Sequence, residues 1–127
     1  MARKDPSAKS SVPGLTAPAR VIFTVRDLER SARWYGGTLG IPVRQRGIGW
    51  VELDTRGVAL CLRGGRRHGP SPDQPALTFR VDNFDAALRG LKLREVPGLG
   101  EPFECGEGVR AVFFEDPDGN RLGIEGP

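Results

Sequence analysis

The 127-residue sequence predicts an α+β fold built from two copies of one βαβββ module. Three observations point there. A strand-then-helix pattern over residues 20–39 is followed by three short strand-like runs, and the segment 76–90 restarts that pattern at a fixed offset. A turn-rich hairpin, Asp118-Gly119-Asn120-Arg121-Leu122, then occupies in the second copy the place that Thr55 to Leu60 holds in the first. A chain of this length forms one domain and buries about two-thirds of the surface that its unfolded form exposes. It needs no disulfide or metal to complete a core.

Arg20 to Val25 (RVIFTV) is mostly β-branched or aromatic, the composition of a buried strand. Asp27 is placed to cap the helix that follows, and because Arg30 rather than Glu or Gln stands three residues on, the reciprocal half of a capping box is missing. Leu28, Ala32, Tyr35 and Leu39 recur at spacings of four, three and four, so they share one stripe of a helix running to about Thr38. Gly40 suits its C-terminal stop. Three strands are expected next, near Pro42 to Arg46, Gly49 to Asp54 and Val58 to Leu62, with Thr55-Arg56-Gly57 as a tight turn. Residues 63–75 (RGGRRHGPSPDQP) combine Pro and Gly signals with no hydrophobic period, as a linker does.

The restart is gapless. ALTFRVDNFDAALRG (76–90) aligns on RVIFTVRDLERSARW (20–34), pairing Phe79 with Phe23, Val81 with Val25, Phe84 with Leu28, Ala87 with Ser31 and Leu88 with Ala32 at an offset of 56 residues. Toward the C-terminus the offset grows to about 62, which insertions between strands explain. The expected organisation is a flexible N-terminal tail over residues 1–18 and a single domain over 19–127. Module one covers 19–63, the linker 64–75 and module two 76–127.

Composition narrows the function classes. Hydrophobic residues make up 38% and charged residues 28%, and no apolar run approaches the ~20 residues of a membrane span, so no membrane partner is expected. Met1 to Gly14 is polar, with Pro6 and Pro13, and lacks the apolar stretch of an export signal; a cytoplasmic protein is expected. Cys61 and Cys105 lie in different halves without C-x-x-C spacing, which fits free thiols in a reducing compartment and neither a zinc cluster nor a redox pair. The net charge of +3 comes largely from Arg3, Lys4 and Lys9 against Asp5 in the tail. The remaining arginines are interleaved with Asp and Glu, so no nucleic-acid partner is expected.

Val25-Arg26-Asp27-Leu28-Glu29-Arg30-Ser31-Ala32-Arg33-Trp34-Tyr35, followed by Leu39-Gly40-Ile41, resembles the first module of the glyoxalase/bleomycin-resistance/extradiol-dioxygenase, or vicinal oxygen chelate (VOC), superfamily. That module has the pattern V-x-D-L-x-x-S-x-x-[FW]-Y leading to L-G. Phe79 to Ala87 (FRVDNFDAA) resembles the second-module pattern F-x-V-D-D-x-D-A-A, and Phe113 to Asn120 (FFEDPDGN) is similar to the closing hairpin F-x-D-P-D-G-N. In that hairpin Pro117 sets φ and Gly119 accepts positive φ, so the signature partly records backbone geometry. The resemblance implies two half-open cups forming a curved mixed sheet with a central cleft. In the superfamily's metalloenzymes a divalent ion held there by His, Gln and Glu polarises adjacent substrate oxygens. Aligned on the same pattern, the four ligand positions fall here on Arg20, Ala76, Cys61 and Gly123. Only Cys61 offers a donor, and a lone thiol opposite a guanidinium does not meet the coordination such ions require. The one histidine, His68, lies in the linker beside Arg66 and Arg67. No metal and no other cofactor is expected.

Side chains two apart share a strand face, so Arg20 and Ala76 mark the cleft side. Ile22, Thr24, Ala59, Cys61, Thr78, Arg80, Arg121 and Gly123 should face it. Val21, Phe23, Val25, Leu77, Phe79 and Val81 should pack under the helices. Trp50 and Glu52 are cleft candidates on a middle strand. The candidate ligand-binding residues are Arg20, Thr24, Trp50, Cys61, Thr78 and Arg121; none is assigned a catalytic role. Four of them have a structural alternative. Trp50 suits a core or a dimer interface, Arg20 and Arg121 suit salt bridges with Glu52 or Glu125, and Cys61 suits a small buried hydrophobe without a histidine base to activate it. Two function classes follow from the resemblance. One is a metal-free protein that binds a small organic molecule in the cleft, as a homodimer. The other is a lyase, isomerase or dioxygenase-like enzyme with an atypical site, using either an unusual metal site or acid/base residues such as Glu52 or Glu104. The first is favoured, because the polar groups expected in the cleft are mostly donors.

Overall fold

The computed structural model describes residues 13–14, 17–67 and 74–127. Module one opens with β1 (Arg20–Val25), where period-two alternation sends Val21, Phe23 and Val25 to the core and leaves Arg20, Ile22 and Thr24 on an open face. Asp27 caps α1 (Leu28–Thr38) by accepting from the Arg30 N–H at 3.1 Å. The stripe is as spaced: Ala32 and Tyr35 are buried, with Leu28 and Leu39 packed at its ends. Gly40 follows at φ +74°, a conformation that a β-carbon disfavours, and the chain turns away from the helix. β2 (Val43–Gly47), β3 (Trp50–Leu53) and β4 (Ala59–Gly64) complete a sheet of order β1-β4-β3-β2, with β1 parallel to β4 and the other pairs antiparallel.

Module two repeats the plan. β5 (Ala76–Arg80) leads into α2 (Phe84–Leu93), capped by Asn83 accepting from the Ala86 N–H at 3.0 Å. β6 (Phe103–Gly106), β7 (Val109–Glu115) and β8 (Arg121–Gly126) form the order β5-β8-β7-β6, again with the first and last strands parallel. The fold is therefore α+β, two βαβββ modules, and its mixed sheet is in two curved four-stranded halves, sheet one and sheet two. The expected strand ends differ from the observed ones by a residue or two, since ladder pairing rather than composition sets where a strand stops. Most of the expected tail, and the middle of the expected linker with His68, lie outside the described residues. No helix among the described residues is long and apolar enough to cross a membrane.

Both modules turn their helix-side faces to one shared core. Val51, Leu53, Leu60 and Leu62 of sheet one meet Val112, Phe114, Leu122 and Ile124 of sheet two, with Tyr35, Phe84 and Leu91 from the helices, all 6% exposed or less. Burying each such side chain contributes about 1.5–3 kcal/mol. The opposite sheet faces are thereby directed outward.

A polar clamp joins the modules at the edge of this core. The Asp116–Asn120 turn folds around Asp116, whose Oδ1 accepts from the N–H groups of Asp118 (2.9 Å) and Asn120 (2.8 Å). Its Oδ2 accepts from Asn120 Nδ2 at 2.9 Å and from Tyr35 Oη of α1 at 2.8 Å. Asp118 accepts from the Arg26 N–H and from Ser31 Oγ, and Asn120 Nδ2 donates to the Thr24 carbonyl. Every buried side-chain polar atom among the described residues has a partner.

Candidate functional site

The open face of sheet one carries two complete rows of side chains set by strand register. Ile22, Cys61, Glu52 and Gln45 stand side by side, and Thr24, Arg63, Trp50 and Gly47 form the next row, with Arg20 beside Ala59 at the other end. A cavity of about 350 Å³ lies here, walled by Arg20, Ile22, Trp50, Cys61 and Arg63 together with Ile48 and Gly49 of the β2–β3 turn. Half-buried Trp50 lies across the β2 backbone at Gly47, where any β-carbon would collide with the indole nitrogen. Glycine at this position is what lets the ring lie there.

Cys61 is 5% exposed, and its sulfur accepts a long hydrogen bond of 3.7 Å from Arg20 Nη1. The Glu52 carboxylate, 6% exposed, is engaged elsewhere: Oε1 accepts from Gln45 Nε2 at 3.1 Å and Oε2 lies 3.6 Å from Arg44 Nη1. Arg20 therefore does not pair with Glu52. Neither Arg20 nor Arg63 has a carboxylate partner among the described residues, so the cavity wall carries two uncompensated guanidinium charges.

The open face of sheet two is filled differently. Arg121 stacks on Phe113 with its guanidinium carbon 4.2 Å from the ring centroid, and Phe113 packs against Phe103 at 5.6 Å between centroids. Thr78 Oγ1 donates to Glu125 Oε2 at 2.7 Å. Arg121 thus meets an aromatic ring rather than Glu125. A β-carbon at Gly123 would come within 2.9 Å of Phe113 Cδ1 and 3.1 Å of Thr78 Cγ2, so the space in front of this glycine already belongs to its neighbours.

Of the six residues expected to bind a ligand, Arg20, Trp50 and Cys61 come together in one cavity. Thr24 shares their face but not the cavity wall, and Thr78 and Arg121 lie on sheet two, which contributes no residue to it. Glu104 is turned away from the open face, because adjacent Phe103 faces it through Phe113 and successive strand residues alternate. Arg63 and Ile48 were not among the expected residues. Counting two on from Cys61 locates Arg63, whereas nothing local signals Ile48.

At the four positions where metal ligands would stand, Cys61 alone has a donor, and that sulfur already accepts from Arg20. Gly123 has no room for a longer side chain, and Arg20 and Ala76 cannot coordinate a cation. No group of three or more His, Cys, Asp or Glu that could hold a metal occurs among the described residues. This donor set does not fit a divalent ion.

The chain resembles several solved structures across most of its length. It shares 18% identity with a glyoxalase/bleomycin resistance protein/dioxygenase from Nocardioides, covering 93% of this chain and 87% of that one at a TM-score of 0.75. A lactoylglutathione lyase from Agrobacterium tumefaciens matches at 18% identity, 91% and 96% coverage and a TM-score of 0.70. A bleomycin-binding protein in complex with bleomycin matches at 22% identity, 88% and 99% coverage and a TM-score of 0.71. These likenesses establish the fold. The sequence model of one family matches residues 17–124, which spans both modules, and the chain accordingly belongs to the Glyoxalase/Bleomycin resistance protein/Dioxygenase superfamily.

Proposed function

We propose that this chain is a metal-independent binding protein that holds a small organic molecule, flat in part and bearing an anionic or carbonyl oxygen, on the open face of sheet one. The observation that carries the reading is the pair Arg20 and Arg63, two guanidinium groups without a carboxylate partner, on the wall of a cavity that also presents Trp50. Donors select acceptors, and a charge-assisted hydrogen bond is roughly twice as strong as a neutral one. Stacking on an aromatic ring adds about 0.5–1.5 kcal/mol beyond area burial. The bleomycin-bound neighbour supports ligand binding on this fold without carrying its ligand to this chain.

Binding rather than acid/base catalysis fits Glu52, since both of its oxygens already have partners. A homodimer is part of the proposal. Ile22 (54% exposed), Ile48 (fully exposed) and Phe103 (43%) leave apolar surface open on a single chain. A second copy would cover it and could bring Thr24, Thr78 and Arg121 to the same ligand. Free Cys61 and Cys105 fit a cytoplasmic setting.

The test is a fluorescence screen of flat anionic and neutral compounds against the full chain, repeated with Trp50→Ala and Arg20→Ala. Hits should bind both variants at least several-fold more weakly. Hits that bind both as tightly as the parent would place the ligand elsewhere.

A further inference from the structure

We propose a second ligand site at the seam between the modules: a groove between the C-terminal end of α1 and α2 that takes a monocarboxylate with an unbranched apolar tail, its carboxylate on Arg94. The groove encloses about 400 Å³, within the range of small-molecule sites. It shares no residue with the cavity on sheet one and lies on the other side of the sheets. Phe79, Phe114 and Ile124, which line it, belong to the helix-side face of sheet two, and Ile41 of module one and Leu91 of α2 also line it.

Two features select the occupant. The first is Gly37, in the last turn of α1, where glycine is disfavoured relative to alanine. Packing does not demand it. A β-carbon at Gly37 would meet no atom within 4 Å, and the residue is not among those with positive φ. Gly37 is exposed and lines the groove, so the space beside it is open to solvent at the groove's edge. The second is charge. Arg94 is the only charged residue lining the groove, and its Nη1 donates a 3.3 Å bond to the Gly90 carbonyl of its own helix. No carboxylate neutralises it among the described residues. An apolar channel with one uncompensated planar donor favours an amphipathic monoanion: the chain gains from burial and the carboxylate from charge-assisted hydrogen bonds. A dianion or a nucleotide would find too few donors, and a neutral alkane no anchor.

The test is titration of the full chain with sodium decanoate and with 1-decanol, below their aggregation concentrations, by calorimetry and by amide chemical shifts. Decanoate should saturate at one equivalent, with decanol binding about tenfold more weakly. Arg94→Gln should weaken decanoate by a similar factor and leave decanol unchanged. Gly37→Leu, which places a side chain in open space and favours the helix, should abolish decanoate binding without lowering the thermal midpoint. Trp50→Ala should leave decanoate binding intact, which separates this site from the sheet-one cavity. Decanoate binding Gly37→Leu or Arg94→Gln as tightly as the parent would overturn the proposal, as would the lack of saturable binding at submillimolar concentration. A fall in molar mass of the Gly37→Leu protein in solution would also overturn it, since the groove would then be covered by a second copy.

Discussion

Tyr35 Oη donates a 2.8 Å hydrogen bond to Asp116 Oδ2, and both side chains are withdrawn from solvent, at 0% and 1% exposure. Tyr35 belongs to the helix of module one and Asp116 to the closing turn of module two. Because Asp116 also accepts from two backbone N–H groups and the Asn120 amide, one carboxylate shapes its own turn and grips the opposite module.

Tyr35→Phe keeps the ring and removes the donor, leaving a buried carboxylate oxygen short of a partner. Hydrogen bonds to charged groups contribute about 1.5–3 kcal/mol, so the variant should lose stability on that scale in urea unfolding. An unchanged unfolding midpoint would show that the clamp contributes nothing.

The same pair sets an alkaline limit. Burial, then the Asp116 charge and hydrogen bond, hold the Tyr35 hydroxyl far above the ordinary tyrosine range. A folded-state value raised in this way makes the group's contribution complete below the unfolded pKa of about 10. Above that pH only the unfolded chain loses the proton, so stability should decline by up to about 1.4 kcal/mol per pH unit. Tyr35 is the only tyrosine in the chain, so tyrosinate absorbance should appear together with unfolding. Comparing urea midpoints at about pH 9 and about pH 11 for the parent and Tyr35→Phe isolates the effect. Equal slopes for the two proteins would contradict it.

Gly123→Glu restores a carboxylate at a ligand position, yet it should not create a metal site. The first carbon of the new side chain would press on Phe113 and Thr78, and overpacking of this kind costs about 1–3 kcal/mol. The expected outcome is a lower thermal midpoint and no gain in bound zinc or manganese by elemental mass spectrometry. Stoichiometric metal in the variant would show that the sheet-two face accommodates a ligand set after all.

β1 and α1 were legible because their signals are local: alternation in RVIFTV, a four-three-four stripe ending at Gly40, and an Asp cap. The repeat then located module two. Alternation also assigned Arg20, Ile22 and Cys61 to one face, with Trp50 only a candidate for it. The clamp was not legible. Asp116 and Asp118 read as turn residues, and their partners Tyr35, Ser31 and Arg26 lie 81 to 92 residues away, beyond any local pattern. Gly123 is a middle case. A glycine inside a strand signals close approach, but only the fold shows that Phe113 is what approaches it. Division of the strands into two sheets, with the six expected residues split between them, likewise depends on packing between modules.

The sheet-one cavity is proposed to bind its ligand through Arg20 and Trp50 without a metal. The most direct measurement is a calorimetric titration of a flat anionic hit from the screen into the full chain before and after exhaustive chelation, with Trp50→Ala and Arg20→Ala in parallel. Affinity should be the same with and without chelator and about tenfold lower in the Arg20 variant, the scale of one charge-assisted bond. Affinity that disappears on chelation and returns with added divalent metal, or that is indifferent to both substitutions, would contradict it.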